Sequence, residues 1–195
     1  MKSKLLKALV IAALGVYPFI IFFGLTTYSS NVIALLVLVL FSLRLLLGWK
    51  GSKSLKHQKY LGLLGIVLAL LVLMRQEPRW FMYYPLLVNL SLFAAFFASL
   101  WDKQPIVETF ARMGQRHLPL TARPYFIGLT KIWCAFFVVN TLISAWTIFF
   151  ADLKTWTIYN GLISYLLIAA LLSGEWIFRK CTKLEEKYES DNASF

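Results

Sequence analysis

Six long apolar runs, separated by short polar or charged segments, dominate the pattern of hydrophobic and polar positions along the chain. Runs of this kind approach or exceed the roughly 18 apolar residues that indicate a bilayer-spanning helix. The first run follows a basic start but lacks a convincing small-residue cleavage site, so we expect an uncleaved helix and not a signal peptide. The pattern predicts membrane-spanning helices at residues 5–25, 32–49, 60–74, 80–101, 126–151 and 156–178.

The distribution of positive charge sets the expected orientation of these helices. With a cytoplasmic N-terminus and six crossings, all but three of the 20 Lys and Arg residues lie on or near the cytoplasmic side. The exceptions are Arg75, Arg79 and Lys154, and this asymmetry is the one that the positive-inside rule requires. The asymmetry is lost if the short third run, residues 60–74, fails to cross. The sequence therefore predicts an all-α, polytopic bundle of six transmembrane helices that forms a single domain over residues 1–179, with both termini cytoplasmic.

The longest polar connection, residues 102–125, is expected to be a cytoplasmic loop that contains a short amphipathic helix in the membrane interface. Apolar residues recur along one face of its first half, and Glu108 and Arg112 have the i, i+4 spacing of a supporting pair. In this arrangement Arg112, Arg116 and Arg123 would face lipid phosphates. Two interpretations stay open: Glu108, Arg112 and Arg116 contact a lipid head group or a partner, or the helix only packs on the membrane surface.

The overall composition agrees with a membrane protein and narrows its function. Hydrophobic residues make up 59% and charged residues 15%, against about 45–50% and about 25% in soluble globular proteins. The net charge of +11 is concentrated between apolar runs, so it indicates a membrane and not a nucleic acid. The two cysteines, Cys134 and Cys181, and the two histidines form no metal-binding or catalytic motif. We therefore expect no metal and no cofactor. Residues 180–195 are rich in charged residues, and we expect them to form a charged cytoplasmic tail.

Three ionisable residues lie inside apolar runs, each about one turn from the predicted cytoplasmic end: Arg44, Lys131 and Glu175. A charge at the centre of a membrane helix costs about 2.5–3.5 kcal/mol on insertion scales, and less near the ends. The two cations could extend to the lipid phosphates, the three residues could form a structural ion-pair cluster, or they could form a working site.

Two amides, Asn89 and Asn140, lie near the predicted midplane of the fourth and fifth spans. They favour a hydrogen bond between helices, worth about 0.6 kcal/mol on average, over contact with a substrate. Trp133 shares a helical face with Asn140, so it belongs to the same candidate interface or ligand contact.

A series of short motifs appears in order over roughly the second half of the chain. They include Pro-x-x-x-Asn, Pro-x-x-Glu and Trp-x-x-Phe-Phe-x-x-Asn, and the residues concerned are Tyr84, Pro85, Asn89, Pro105, Glu108, Arg112, Trp133, Phe136, Phe137, Asn140, Tyr159, Asn160, Gly161, Glu175, Trp176 and Arg179. With these residues the chain resembles a family of uncharacterised bacterial inner-membrane proteins found beside fatty-acid-like and aryl polyene biosynthesis genes. It is more distantly similar to the intracellular septation protein A family.

The resemblance implies a location in the bacterial cytoplasmic (inner) membrane and adds Asn160 to the candidate interhelical or ligand contacts. The first family implies an accessory role for a membrane-bound lipid or polyene product, and the second a scaffold for envelope machinery. We therefore expect a non-enzymatic accessory protein or scaffold whose partners are membrane lipids and envelope or lipid-biosynthesis proteins.

The alternative function is a lipid-handling carrier or membrane transferase that binds an anionic head group at the cytoplasmic leaflet. This hypothesis predicts a cavity lined by Arg44, Lys131, Glu175, Glu108 and Arg112. An ion channel ranks last because the sequence has no pore-lining polar stripe.

Overall fold

The computed structural model describes residues 15–48, 56–114 and 122–182, and over these residues the chain is helical and contains no strand. The all-α class predicted from the sequence is therefore confirmed. A 3-10 turn leads into α4, and a π-helical turn joins α7 to α8. The elements in chain order are α1 Tyr17–Thr27, α2 Ser30–Gly48, α3 Lys56–Arg75, the 3-10 turn Pro78–Met82, α4 Tyr83–Ser99, α5 Ile106–Gly114, α6 Arg123–Phe150, α7 Leu153–Ile158, the π turn Tyr159–Ile163 and α8 Ser164–Cys181.

Three continuous helices among the described residues are long and apolar enough to cross a membrane. They are Pro78–Ser99, Arg123–Phe150 and Leu153–Cys181, and they correspond to the predicted fourth, fifth and sixth spans. The last of the three is formed by α7, the π turn and α8. The chain therefore has the helices of a membrane protein.

The first three predicted spans also correspond to apolar helices, but their apolar parts are shorter. These parts are Tyr17–Thr27, Ser30–Leu46 and Gly62–Arg75. Residues 5–14, the predicted beginning of the first span, lie outside the described residues. Six crossings therefore stay a prediction.

The amphipathic helix predicted in the long polar connection is present as α5, Ile106–Gly114. The N–H of Ile106 donates a hydrogen bond to the Ser99 hydroxyl oxygen at 3.0 Å, which ties the start of α5 to the end of α4. Residues 115–121, which include Arg116, and the tail beyond residue 182 lie outside the described part of the chain.

The described residues group into two compact units. The first takes in the chain up to Val88 together with Ile143–Ser164, and the second takes in Asn89–Leu142 together with the chain from Tyr165 onward. Helices α4 and α6 each contribute residues to both units.

Aromatic side chains form the centre of the first unit. Tyr17, Phe41 and Tyr84 are buried, and the Tyr84 ring lies 4.8 Å from the Tyr17 ring and 4.9 Å from the Phe41 ring between centroids. Helices α2 and α3 approach closely beside this cluster, because Gly65 of α3 has no side chain where the Phe41 ring lies. Small residues at helix contacts allow such close approach in membrane bundles.

The 3-10 turn before α4 is held by two buried side chains of the first unit. Pro85 has no N–H to donate to the carbonyl of Phe81 four residues earlier, and the Tyr17 hydroxyl donates a hydrogen bond to that carbonyl at 3.1 Å. The indole N–H of Trp156 donates to the carbonyl of Met82 at 3.2 Å. The carbonyl of Phe81, which lacks a donor from Pro85, thus gains one from Tyr17, and Trp156 adds a second hydrogen bond to this turn at Met82.

Asp152 begins the last long helix. Its carboxylate accepts a hydrogen bond from the backbone N–H of Thr155 at 2.9 Å, as a helix N-cap does. Hydrogen bonds from the side chain and backbone of Thr155 hold the pKa of Asp152 below its ordinary value of 3.8. Because the folded-state pKa is depressed, the stabilisation from this cap is present above that ordinary value and is lost as the pH falls through the folded-state pKa.

We predict that Gly65→Ala destabilises the protein, because the added methyl group would overlap the buried ring of Phe41. Overpacking of this kind costs about 1–3 kcal/mol, so the midpoint of thermal unfolding in detergent should fall. The matched control is Gly128→Ala on α6, where an added methyl group meets no atom within 4 Å. That variant should be as stable as the wild type or slightly more stable. Equal midpoints for Gly65→Ala and the wild type would contradict the close packing of α2 and α3.

Candidate functional site

The second unit contains an open groove between the beginning of α6 and the end of α8. Its volume is about 470 Å³, within the range of about 300–1,000 Å³ that is usual for small-molecule sites. Each helix contributes residues at the spacing i, i+1, i+4, i+5 and i+8, which places them on one helical face. The lining residues are Pro124, Tyr125, Gly128, Leu129 and Ile132 of α6 and Ala170, Leu171, Gly174, Glu175 and Phe178 of α8.

Two glycines keep this groove open. A methyl group added at Gly128 or at Gly174 would meet no atom within 4 Å, apart from the glycine's own chain neighbours and helix backbone. The space next to them is therefore unfilled. At Gly65, in contrast, the Phe41 ring occupies the place that a side chain would take. The groove results from two small residues that face each other's helix across an otherwise apolar surface.

One end of the groove is polar. The Tyr125 hydroxyl donates a hydrogen bond to Oε1 of Glu175 at 2.8 Å, and Nε of Arg179 lies 2.8 Å from the same oxygen. The Tyr125 ring is parallel to the Phe178 ring, with an interplanar angle of 3°. The charges of Glu175 and Arg179 compensate each other, which reduces the cost of placing a carboxylate beside apolar side chains.

Further positive charge lies near this end of the two helices. Lys180 lies 4.3 Å from the centre of the Trp176 ring, a cation–π contact. Arg123, at the start of α6, donates to the carbonyl of Asp102 at 3.4 Å. Lys131, in contrast, is exposed on α6 next to Ile132, the lining residue of α6 that lies farthest along the helix from Tyr125.

The predicted cluster of Arg44, Lys131 and Glu175 is distributed over both units. Within the second unit Glu175 forms its ion pair with Arg179 and not with Lys131. Arg44 belongs to the first unit, where its Nε is buried and no described residue accepts a hydrogen bond from it. A cluster of all three residues stays a prediction.

The predicted amide pair is present in the second unit. The Asn140 side-chain amide donates a hydrogen bond to the Asn89 side-chain oxygen at 2.9 Å, and both residues are buried. Trp133 packs against the rings of Phe96 and Phe137, at centroid distances of 6.1 Å and 5.8 Å. The structure thus contains the hydrogen bond between α4 and α6, and Trp133 belongs to an aromatic cluster that both helices form.

Asn160 is a structural contact in the first unit. Its side-chain oxygen accepts a hydrogen bond from the Ser144 hydroxyl at 2.8 Å. Its amide nitrogen donates to the carbonyl of Trp156 at 3.0 Å and to the Thr147 hydroxyl oxygen at 3.4 Å. Asn160 lies in the π turn beside Gly161, an irregularity that is often found at functional sites. Here its polar atoms connect α6 to the last long helix.

The carboxylate of Glu108 lies inside the protein, whereas one of the two interpretations left open by the sequence placed it in contact with a lipid head group or a partner. Its side chain is 2% exposed and lies 2.7 Å from the Arg112 guanidinium, which makes the burial of the charge possible. No described residue donates a hydrogen bond to its second oxygen, Oε2. The i, i+4 pair is confirmed, and it is a partly buried pair.

Nothing in the sequence pattern marks Tyr125, Arg179 or the two glycines as parts of a site. The Glu175–Arg179 pair has the i, i+4 spacing that could have revealed it. The contact of Tyr125 with Glu175 joins residues 50 positions apart, and no periodic pattern indicates it.

We predict that Asn160→Ala destabilises the protein, because its buried side-chain amide makes three hydrogen bonds. The expected loss is about 1–3 kcal/mol. Thermal unfolding in detergent measures it. The exposed Asn31 provides the control, since Asn31→Ala should stay within about 0.5 kcal/mol of the wild type. If Asn160→Ala were as stable as the control, the hydrogen-bond network would be wrong.

Comparison with protein-family models, with curated proteins and with solved structures finds no match to this chain. The similarity to the inner-membrane family and to the intracellular septation protein A family therefore rests on the motifs alone and stays a prediction. The motif residues Asn89, Trp133, Asn140 and Asn160 make contacts between or along helices.

Proposed function

We propose that the protein crosses the bacterial inner membrane six times and keeps both termini in the cytoplasm. Three long apolar helices and the concentration of Lys and Arg on one side support this topology. In this orientation the polar end of the groove, at Tyr125 and Glu175, lies near the cytoplasmic surface. The groove then extends from there toward the membrane interior.

We further propose that the protein is a non-enzymatic accessory protein of lipid or polyene biosynthesis that binds a lipid-like amphiphile. The observation that carries this proposal is the groove of the second unit, which is apolar along its length and has Tyr125, Glu175 and Arg179 at one end. The apolar chain of such a molecule matches the apolar length of the groove, and its polar head group matches the polar end.

The membrane favours a lipid as the occupant. The groove lies between two helices that are long enough to cross a bilayer, so acyl chains are the most abundant molecules around it. From Tyr125 to Ile132 it follows α6 for seven residues, or about 10 Å at 1.5 Å per residue. A chain that enters from the head-group level can therefore lie along both glycines.

The scaffold hypothesis assigns the same surface to a protein partner. Gly128, Ala170 and Gly174 are small residues of the kind found where membrane helices pack, and Ala170 and Gly174 are four residues apart. A partner helix would cover the groove along its apolar part. The polar end favours the lipid, because a head group gives Tyr125, Glu175 and Arg179 a role that an apolar helix does not.

The topology predicts that Cys181, which is exposed, faces the cytoplasm. A membrane-impermeant maleimide should leave Cys181 unlabelled in intact cells and label it after the membrane is disrupted. In a Cys181→Ser background, Lys154→Cys should be labelled in intact cells, because residue 154 lies on the opposite side. Labelling of Cys181 in intact cells would overturn the proposed orientation.

Lipid binding predicts that Gly174→Leu blocks the groove and leaves the fold intact, because a side chain at Gly174 enters open space. A photoactivatable fatty-chain probe should label the peptides of residues 124–132 and 170–178 in the wild type. Labelling should fall by about tenfold or more in Gly174→Leu, equivalent to about 1.4 kcal/mol.

The control is Val139→Leu, which enlarges an exposed side chain of α6 outside the groove and should keep wild-type labelling. Equal labelling of Gly174→Leu and wild type would reject the groove as the binding site. Crosslinking of these peptides to a copurified protein instead of the probe would favour the scaffold hypothesis.

A further inference from the structure

Among the described residues, the two partners of the Glu175 carboxylate meet the same one of its oxygens. The hydrogen bond from the Tyr125 hydroxyl and the contact with Nε of Arg179 both reach Oε1, each at 2.8 Å. No described residue donates a hydrogen bond to Oε2. Glu175 lines the groove and its side chain is 17% exposed, so the groove offers its occupant a hydrogen-bond acceptor that is held in place by two partners.

The charges around this acceptor disfavour a charged head group. An anion at the polar end would approach the Glu175 carboxylate, whose charge Arg179 compensates but does not reverse. A cation bound to Oε2 would share one carboxylate with the Arg179 guanidinium and be repelled by it. The other cations near this end have contacts of their own. Lys180 lies against the Trp176 ring, and Arg123 donates a hydrogen bond to the carbonyl of Asp102. A neutral hydrogen-bond donor satisfies the acceptor without either repulsion.

Resting on the proposed lipid binding, we propose that the groove selects an uncharged single-chain amphiphile with a hydroxyl head group. The chain lies along Gly128 and Gly174, and the hydroxyl donates a hydrogen bond to Oε2 of Glu175. This head group differs from the anionic one of the alternative lipid-handling function that the sequence left open. A site built around a hydrogen bond rejects an analogue that lacks the donor, because its acceptor is then left without a partner.

The test uses the full-length protein in detergent and four competitors of the photoactivatable fatty-chain probe. They have the same 16-carbon chain: 1-hexadecanol, its methyl ether, hexadecanoate and hexadecylamine. The alcohol should displace the probe at a concentration about tenfold or more below that of the ether, as expected for a hydrogen bond to a charged group. The alcohol should also displace the probe at a lower concentration than hexadecanoate or hexadecylamine does.

Glu175→Gln tests the residue itself. The glutamine amide offers both a donor and an acceptor, so the alcohol and the ether should compete almost equally in this variant. The matched control is Glu108→Gln, which alters the other glutamate that forms an i, i+4 pair with an arginine and should keep the preference for the alcohol. Size-exclusion chromatography and thermal unfolding check that both variants fold. If Glu175→Gln does not fold, the head-group assignment is tested by the wild type alone, through the order in which the four competitors displace the probe.

Each outcome separates this inference from the function on which it rests. If the ether or hexadecanoate competes as well as the alcohol while Gly174→Leu loses the probe, the head-group assignment is wrong and the groove stands. If the amine competes best, the site selects a cation and the assignment is also wrong. If no competitor displaces the probe, or Gly174→Leu keeps full labelling, the proposed lipid binding fails.

Discussion

A polar group that lies between the ends of these helices is costly without a partner inside the protein, because hydrocarbon supplies neither donors nor acceptors. The first unit follows this constraint at its proline. Pro85 removes a backbone donor, and the Tyr17 hydroxyl bonds the carbonyl of Phe81. The same requirement explains why Asn160 bonds the Ser144 hydroxyl across two helices. These contacts fix the helices at particular positions, which apolar packing alone does less specifically.

The second unit satisfies its polar groups differently at its two ends. Asn89 and Asn140 bond each other, so the pair is structural. Glu175, which lines the groove, meets both of its partners on one oxygen. Because Gly128 and Gly174 leave the adjacent space open, an unfilled apolar volume and an oriented acceptor occur together. That combination distinguishes a binding site from an interhelical contact.

The sequence predicts the helices well and the site poorly, and the reason is geometric. Apolar runs and i, i+4 spacing are local, so they revealed the long helices and the Glu108–Arg112 pair. The bond between Asn89 and Asn140 could also be predicted, because both amides lie at a similar depth in consecutive spans. The bond from Tyr125 to Glu175 depends on which helices are neighbours, which periodicity does not determine. The burial of Glu108 was missed for the same reason: a helical pattern shows a face but not what covers it.

We propose that the groove between α6 and α8 holds a lipid-like chain whose head group meets Glu175. Electron cryomicroscopy of the full-length protein in lipid nanodiscs, with a bound antibody fragment to aid alignment, would show what occupies the groove. We expect elongated density that passes Gly128 and Gly174 and ends within hydrogen-bond distance of the Glu175 carboxylate. A groove closed by contact of the two helices, or covered by a protein helix, would contradict it.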